Sequence, residues 1–171
     1  MPAPLKLVHS HSYSLRIASG AEALLVRVRT SEGTRGLGFT LNLDARPARD
    51  MAAWDAWAKQ QNQPLWQLLG GSPRRVALLR ACGEASDPWE IGSLDALRKA
   101  HPRRILAPHA HPWEIAWCAT LAASLAEDSA IALPGDPALA TVELPRAPGH
   151  GIDWFHESGF ARIAWDSVLT P

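Results

Sequence analysis

Apolar and polar side chains alternate along Leu24, Leu25, Val26, Arg27, Val28, Arg29 and Thr30, the period-two pattern of a half-buried strand. Ser31, Glu32, Gly33 and Thr34 read as a hairpin turn, and residues 36–40 as the return strand. A further strand around residues 5–15 would complete a small antiparallel meander. The period then changes to helical. Over residues 50–61, Met51, Trp54, Ala58 and Gln61 fall on one face, with Asp50 as the expected N-cap and Pro64 as the stop. Residues 65–69 give one more turn, ended by Gly70 and Gly71. Short apolar runs at residues 76–81, 104–107 and 130–133 have strand length. They alternate with helices predicted at residues 88–100 and 112–127, the second marked by Ile115, Ala119, Ala122 and Ala126. This alternation predicts parallel βα units behind an antiparallel front end. The rest of the chain, residues 134–171, is rich in Pro and Gly and offers a short strand at residues 141–144.

Composition narrows the classes. The 171 residues suffice for one ordinary domain, or one domain with a small appendage. Formal charge balances to zero, so no global field draws in nucleic acid or an anionic membrane. The Arg are scattered and outnumber the three lysines, Lys6, Lys59 and Lys99. Cys82 and Cys118 follow no metal or redox spacing, which fits a reduced cytosolic context. Residues 1–14 lack the basic start and apolar run of a secretory signal. The longest apolar stretch, residues 115–126, is too short for a bilayer and is interrupted by Thr120 and Ser124. A soluble cytoplasmic globule is expected.

Three segments carry a resemblance. The first is Leu25 to Thr30 with Gly33, Gly36, Gly38, Phe39 and Thr40. The second is Ala53, Trp54, Asp55, Ala56, Trp57, Ala58 and Lys59, followed by Pro64 to Gly71. The third is Pro108 and His109 at a strand end, then Pro145, Arg146, Ala147, Pro148, Gly149, His150, Gly151, Ile152 and Asp153. Together they resemble the enolase superfamily, in its mandelate racemase/muconate lactonizing enzyme group, and the tryptophans lean toward fuconate-type dehydratases. The resemblance implies an α/β chain (α+β overall) in two parts: residues 1–71 as a reduced capping-domain remnant, and residues 72–171 as a partial TIM-barrel-like set of about three βα units with a Pro/Gly-rich tail. A closed (β/α)8 barrel needs roughly 250 residues, so the chain reads as shortened. On this reading residues 76–81 are barrel strand one, residues 104–107 strand seven and residues 130–133 strand eight. Running strand one straight to strand seven with its helix outside is a left-handed crossover, which parallel units avoid. Either the order becomes 1-2-3 or strands are exchanged between subunits. Both leave open parallel edges and imply a homo-oligomer.

The family's chemistry, by the same resemblance, is removal of a proton next to a carboxylate. Mg²⁺ held by acidic residues on three successive strands stabilises the enolate, and a Lys of a Lys-x-Lys pair or a His is the base. No lysine of this chain forms Lys-x-Lys. His109 matches the family's strand-seven His base. His111 and Glu114 suggest a His-x-His-x-x-Glu metal pair, against the plainer reading that both histidines cap a loop. Glu84 and Asp87 are candidate acid/base or metal groups, although Asp87 before Pro88 is also a good N-cap. His9 and His11 read as a solvated strand face, and Asp136 as a turn residue. Gly36 with Gly38, and Gly149 with Gly151, are too short for phosphate loops. Trp54, Trp57 and Trp66 read as core, while Trp89 and Trp113 read as hydrophobic staples at helix starts.

Three functional expectations follow. The leading one is a catalytically inactive relative, with no cofactor. The second is a residual metal-dependent dehydratase or racemase, with His109 as base and Mg²⁺ held by His111 with Glu84 or Asp87. The third is an oligomeric binding module.

Overall fold

The computed structural model describes residues 5–16 and 22–151. Ile152 and Asp153, the end of the third resembling segment, lie outside them. Strands β1 (Leu7–Arg16), β2 (Glu22–Thr30) and β3 (Arg35–Thr40) form the predicted antiparallel meander, in the order β1-β2-β3. The period of two separates its faces. Val26 and Val28 pack against Ala48, Ala52 and Ala56 of helix α1 (Ala45–Gln60), while Leu25 and Phe39 enter the main core. Gly36 and Gly38 allow α1 to lie directly on β3. A Cβ at Gly38 would stand 1.9 Å from the Ala48 carbonyl oxygen, and one at Gly36 2.0 Å from that of Ala52.

Helix α1 begins five residues before the expected start. Its N-cap is Asp44, whose Oδ1 accepts from Arg46 N at 3.0 Å, not Asp50. Pro47 sits in the first turn, where a backbone N–H has no intrahelical acceptor, so proline is tolerated there. Asp50 lies inside the helix, and its Oδ2 accepts from Leu94 N at 2.9 Å. A short helix α2 (Leu65–Leu68) follows Pro64 as read.

The helix predicted over residues 88–100 is two. Helix α3 (Pro88–Ile91) ends at Gly92, in the left-handed region at φ 82°. Ser93 then caps α4 (Leu94–Ala100) through Ala96 N. Helix α5 is Pro112–Ala123, shorter than expected at its C-terminal end.

The second sheet contains β4 (Arg75–Arg80), β5 (Arg104–Leu106), β6 (Ala130–Leu133) and β7 (Thr141–Glu143), ordered β5-β6-β4-β7. The pairs β5·β6 and β4·β6 are parallel, and β7 runs antiparallel to β4. The order is therefore not 1-2-3. Nor are the parallel edges bare. Strand β7 takes one side of β4, and beyond β5 the chain at Ser86 donates to Arg104 O at 3.0 Å and accepts from Leu106 N at 2.9 Å. Self-association through those edges would have to displace them.

One apolar cluster joins both parts of the chain, from Leu25 and Phe39 to Ile131 and Leu144. At its centre Phe39 meets Trp89 and Trp113 edge-on, at centroid distances of 5.9 and 5.7 Å. The two tryptophans thus belong to the core itself. Full burial of a ring such as Phe39 contributes about 1.5–3 kcal/mol.

Candidate functional site

His109 stands just past the C-terminal end of β5. The loop turns at Ala110 (φ 51°), and His111 caps α5. That turn aims the first helical turn back at His109. Glu114, 1% exposed, accepts from His109 N at 2.9 Å through Oε2, while its Oε1 lies 3.0 Å from His109 Nδ1. Burial raises the Glu114 carboxyl above its ordinary range, and the hydrogen bonds from His109 oppose that rise. When the carboxylate is ionised, Nδ1–H donates and Nε2 keeps its lone pair. The His109 side chain is 44% exposed, so this is an oriented imidazole at a strand end with solvent access. The sequence reading put His109 at a strand end and Glu114 beside it only as a metal ligand. The helix turn makes Glu114 its hydrogen-bond partner.

The remaining expected ligands do not join this pair. His111 Nδ1 accepts from Trp113 N at 3.3 Å, its ring stands edge-on to Trp113, and burial lowers its pKa, with the nearby charge of His109 adding to this. Asp87 Oδ1 caps α3 by accepting from Trp89 N at 2.8 Å. Glu84 lines a separate groove with Gly83, Ser86, Arg103 and Arg104. Among the described residues no three His, Cys, Asp or Glu side chains gather to hold a metal ion. Of the set His111, Glu84 and Asp87, two members hold helix N-termini and the third lines the other groove. Below Glu114, Cys118 is buried, and its thiol is pushed well above its ordinary range by burial and then by Glu114 and Asp87. Asp136 makes an exposed 3.7 Å pair with Arg80.

A second cluster escaped the sequence reading. The Asp55 carboxylate, fully buried, accepts from Leu37 N (2.9 Å), His150 N (3.0 Å) and Lys59 Nζ (2.6 Å). His150 Nε2 lies 2.7 Å from the Leu37 carbonyl oxygen, the geometry of a donated bond. The two outward backbone groups of Leu37 on β3 are thus satisfied by side chains. Burial lowers the His150 pKa, with the Lys59 charge adding to this and the Asp55 charge opposing it. The 3.6 Å approach of His150 to Asp55 is therefore a contact of a neutral ring, not an ion pair. Gly149 anchors the same stretch to Gln63 O (3.1 Å) and Leu65 N (2.6 Å). Asp55 and Lys59 were visible as a helical i, i+4 pair; their link to His150 spans 95 residues and leaves no local pattern.

Residues 38–70 match the family model for the mandelate racemase / muconate lactonizing enzyme N-terminal domain. No curated protein matches the chain. Among solved structures, a mandelate racemase/muconate lactonizing enzyme from Bordetella bronchiseptica RB50 is similar at 19% identity and TM-score 0.38, over 61% of this chain and 43% of that one. A racemase from Streptomyces coelicolor A3(2) with bound magnesium matches at 17% and 0.40, over 74% and 54%. Muconate cycloisomerase from Pseudomonas fluorescens matches at 14% and 0.39, over 75% and 50%. The chain spans about half the length of these structures. The segment that matches the mandelate racemase / muconate lactonizing enzyme N-terminal domain model runs from the second half of β3 through α1 and α2.

Proposed function

We propose that this chain is a non-catalytic relative of the mandelate racemase/muconate lactonizing enzyme group, retaining a capping-type sheet and helix on a reduced set of βα units that resemble part of a barrel. The observation that carries this reading is where the lysines stand. Lys59 is bound to the buried Asp55 at 2.6 Å, Lys99 lies in the last turn of α4, and Lys6 precedes β1. None stands at the C-terminal end of a strand, where the family's reaction needs its base. His111, Glu84 and Asp87 do not fit a Mg²⁺ site, so no step is routed through a metal. The test is a panel of sugar acids and mandelate with Mg²⁺, combined with calorimetric Mg²⁺ titration. Absence of both turnover and heat is expected. Turnover that disappears in His109→Ala would overturn the proposal.

The His109–Glu114 pair favours a second reading, residual proton abstraction by His109. A buried acid that orients an exposed imidazole is the arrangement general-base catalysis uses. Exchange of the α-proton of a hydroxy acid with deuterium, followed by NMR, reads that half-reaction without requiring product. Exchange lost in both His109→Gln and Glu114→Gln would support it. Exchange no faster than buffer would end it.

A further inference from the structure

The exposed end of the meander collects basic side chains. His9 and His11 on β1, Arg27 and Arg29 on β2, and Arg35 on β3 line a groove of about 180 Å³. The register explains why. His9 pairs with Arg29, Arg29 with Arg35, and His11 with Arg27, so the five side chains form two cross-strand rows on one face. Along that face Tyr13, Leu25 and Phe39 continue into the core, and the Arg27 guanidinium lies over the Tyr13 ring at 5.9 Å where the core ends.

This arrangement runs against sheet stability. Like charges directly opposite each other on neighbouring strands are destabilising, yet here Arg29 faces Arg35 with His9 on its other side. Among the described residues no carboxylate lines the groove. Glu32, the acid of the adjoining turn, accepts from Gln60 Nε2 at 2.7 Å on α1, which packs on the opposite face of the sheet. Among the described residues neither Arg29 nor Arg35 forms an ion pair. The chain as a whole carries no net charge, so the patch is a local concentration, not a reflection of a basic protein. A local rule broken with no compensating ion pair to Arg29 or Arg35 among the described residues is what functional sites show.

The geometry points to an oxyanion-binding site in this groove, for a compact ligand carrying a phosphoryl group or several carboxylates. Guanidinium forks bind such groups through two parallel N–H···O bonds, and Arg29 and Arg35 stand opposite each other on adjacent strands and line the same groove. The imidazoles of His9 and His11 supply further donors along the rim. The site lies on the meander, away from the His109–Glu114 pair at the end of β5, and does not depend on whether that pair is active.

The full chain is titrated calorimetrically with inorganic phosphate, pyrophosphate and citrate, at constant ionic strength held by sodium chloride. Saturable binding at one site per chain is expected for at least one of them; phosphate and pyrophosphate against citrate distinguish a phosphoryl ligand from a polycarboxylate. The double variant Arg29→Gln/Arg35→Gln should weaken binding at least tenfold. Arg29→Lys/Arg35→Lys, which keeps the charge and loses the fork, should fall between. Arg80→Gln, at the distant exposed pair with Asp136, should bind as the parent does. Circular dichroism and thermal unfolding check that each variant is folded. Backbone amide shifts on titration should centre on β1 and β2, a readout that needs no variant. Lack of saturable binding to all three ions would overturn the assignment, as would shifts centred elsewhere or equal losses in the Arg80 control.

Discussion

Replacing Asp55 with Asn tests whether the buried carboxylate holds the closing tail on the capping sheet. Three donors converge on Asp55: the backbone N–H groups of Leu37 and His150 and the ammonium of Lys59. Asparagine offers one acceptor oxygen and turns an NH₂ group toward whichever donor the other oxygen had served. At least one buried N–H then loses its partner, at about 1–3 kcal/mol. The ion pair to Lys59 is lost as well. Removing one partner of a fully buried pair costs about 3–5 kcal/mol, but the Lys59 side chain is 33% exposed and can turn to water, so the full figure does not apply. The expected loss is about 2–4 kcal/mol.

Urea unfolding followed by tryptophan fluorescence measures it. With a slope near ~2 kcal/mol/M, the midpoint should fall by about 1–2 M at unchanged slope. Lys59→Met serves as the comparison. It leaves Asp55 with both backbone donors and should cost less than half as much. An Asp55→Asn variant within about 1 kcal/mol of the parent would refute the reasoning. A Lys59→Met loss equal to that of Asp55→Asn would show that the ammonium, and not the two N–H groups, carries the effect.

Two further outcomes rest on the same half of the molecule. Gly38→Ala puts a Cβ 1.9 Å from the Ala48 carbonyl oxygen, a backbone atom that cannot turn aside; a loss of about 3 kcal/mol or more is expected by thermal or urea unfolding, and a change below about 1 kcal/mol would mean that α1 does not lie on β3 as described. Burial depresses the His150 pKa below its unfolded value of 6.5, so its contribution to stability is present above that value and lost as pH falls through the depressed one. The urea midpoint should therefore decline on acidification below about pH 6.5. Because Glu114, whose pKa is raised, contributes stability in the opposite sense, the comparison is with His150→Gln, in which the parent's steeper decline should disappear.

The elements were legible where a period was long enough to be read. The meander follows from seven alternating positions around Val26 and Val28, and α1 from Met51, Trp54 and Ala58. The errors have local causes. Pro47 masked the true start of α1 because proline usually ends a helix and only in the first turn is it harmless. Gly92, in the left-handed region, divided a stretch read as one helix. For the site, His109 was readable as a histidine after an apolar run, and Asp87 as a cap before a proline. That Glu114 serves His109, and that His111 serves its own helix, depends on the turn at Ala110, where a non-glycine residue takes a left-handed conformation that no periodicity announces.

The tail was the least legible part and does the most to close the fold. Residues 141–150 satisfy two sheets in succession. Strand β7 pairs with β4 through Arg75, Val76 and Ala77, and Gly149 with His150 then docks on α1, α2 and the Leu37 backbone of β3. The short strand at residues 141–144 was legible, but a strand of three residues and two glycines have no amphipathic signature that would name β4, α1 or Leu37 as their partners. Removing residues 141–171 exposes the β4 edge and takes His150 from the Leu37 carbonyl oxygen, while the Leu37 N–H keeps Asp55. Exposed strand edges recruit other chains, so the truncated protein should elute as larger species in light-scattering chromatography, or precipitate. Removal of residues 152–171 alone leaves both contacts in place and is the control. A truncation at residue 140 that matched this control in size and in urea midpoint would show that the two sheets close without the tail.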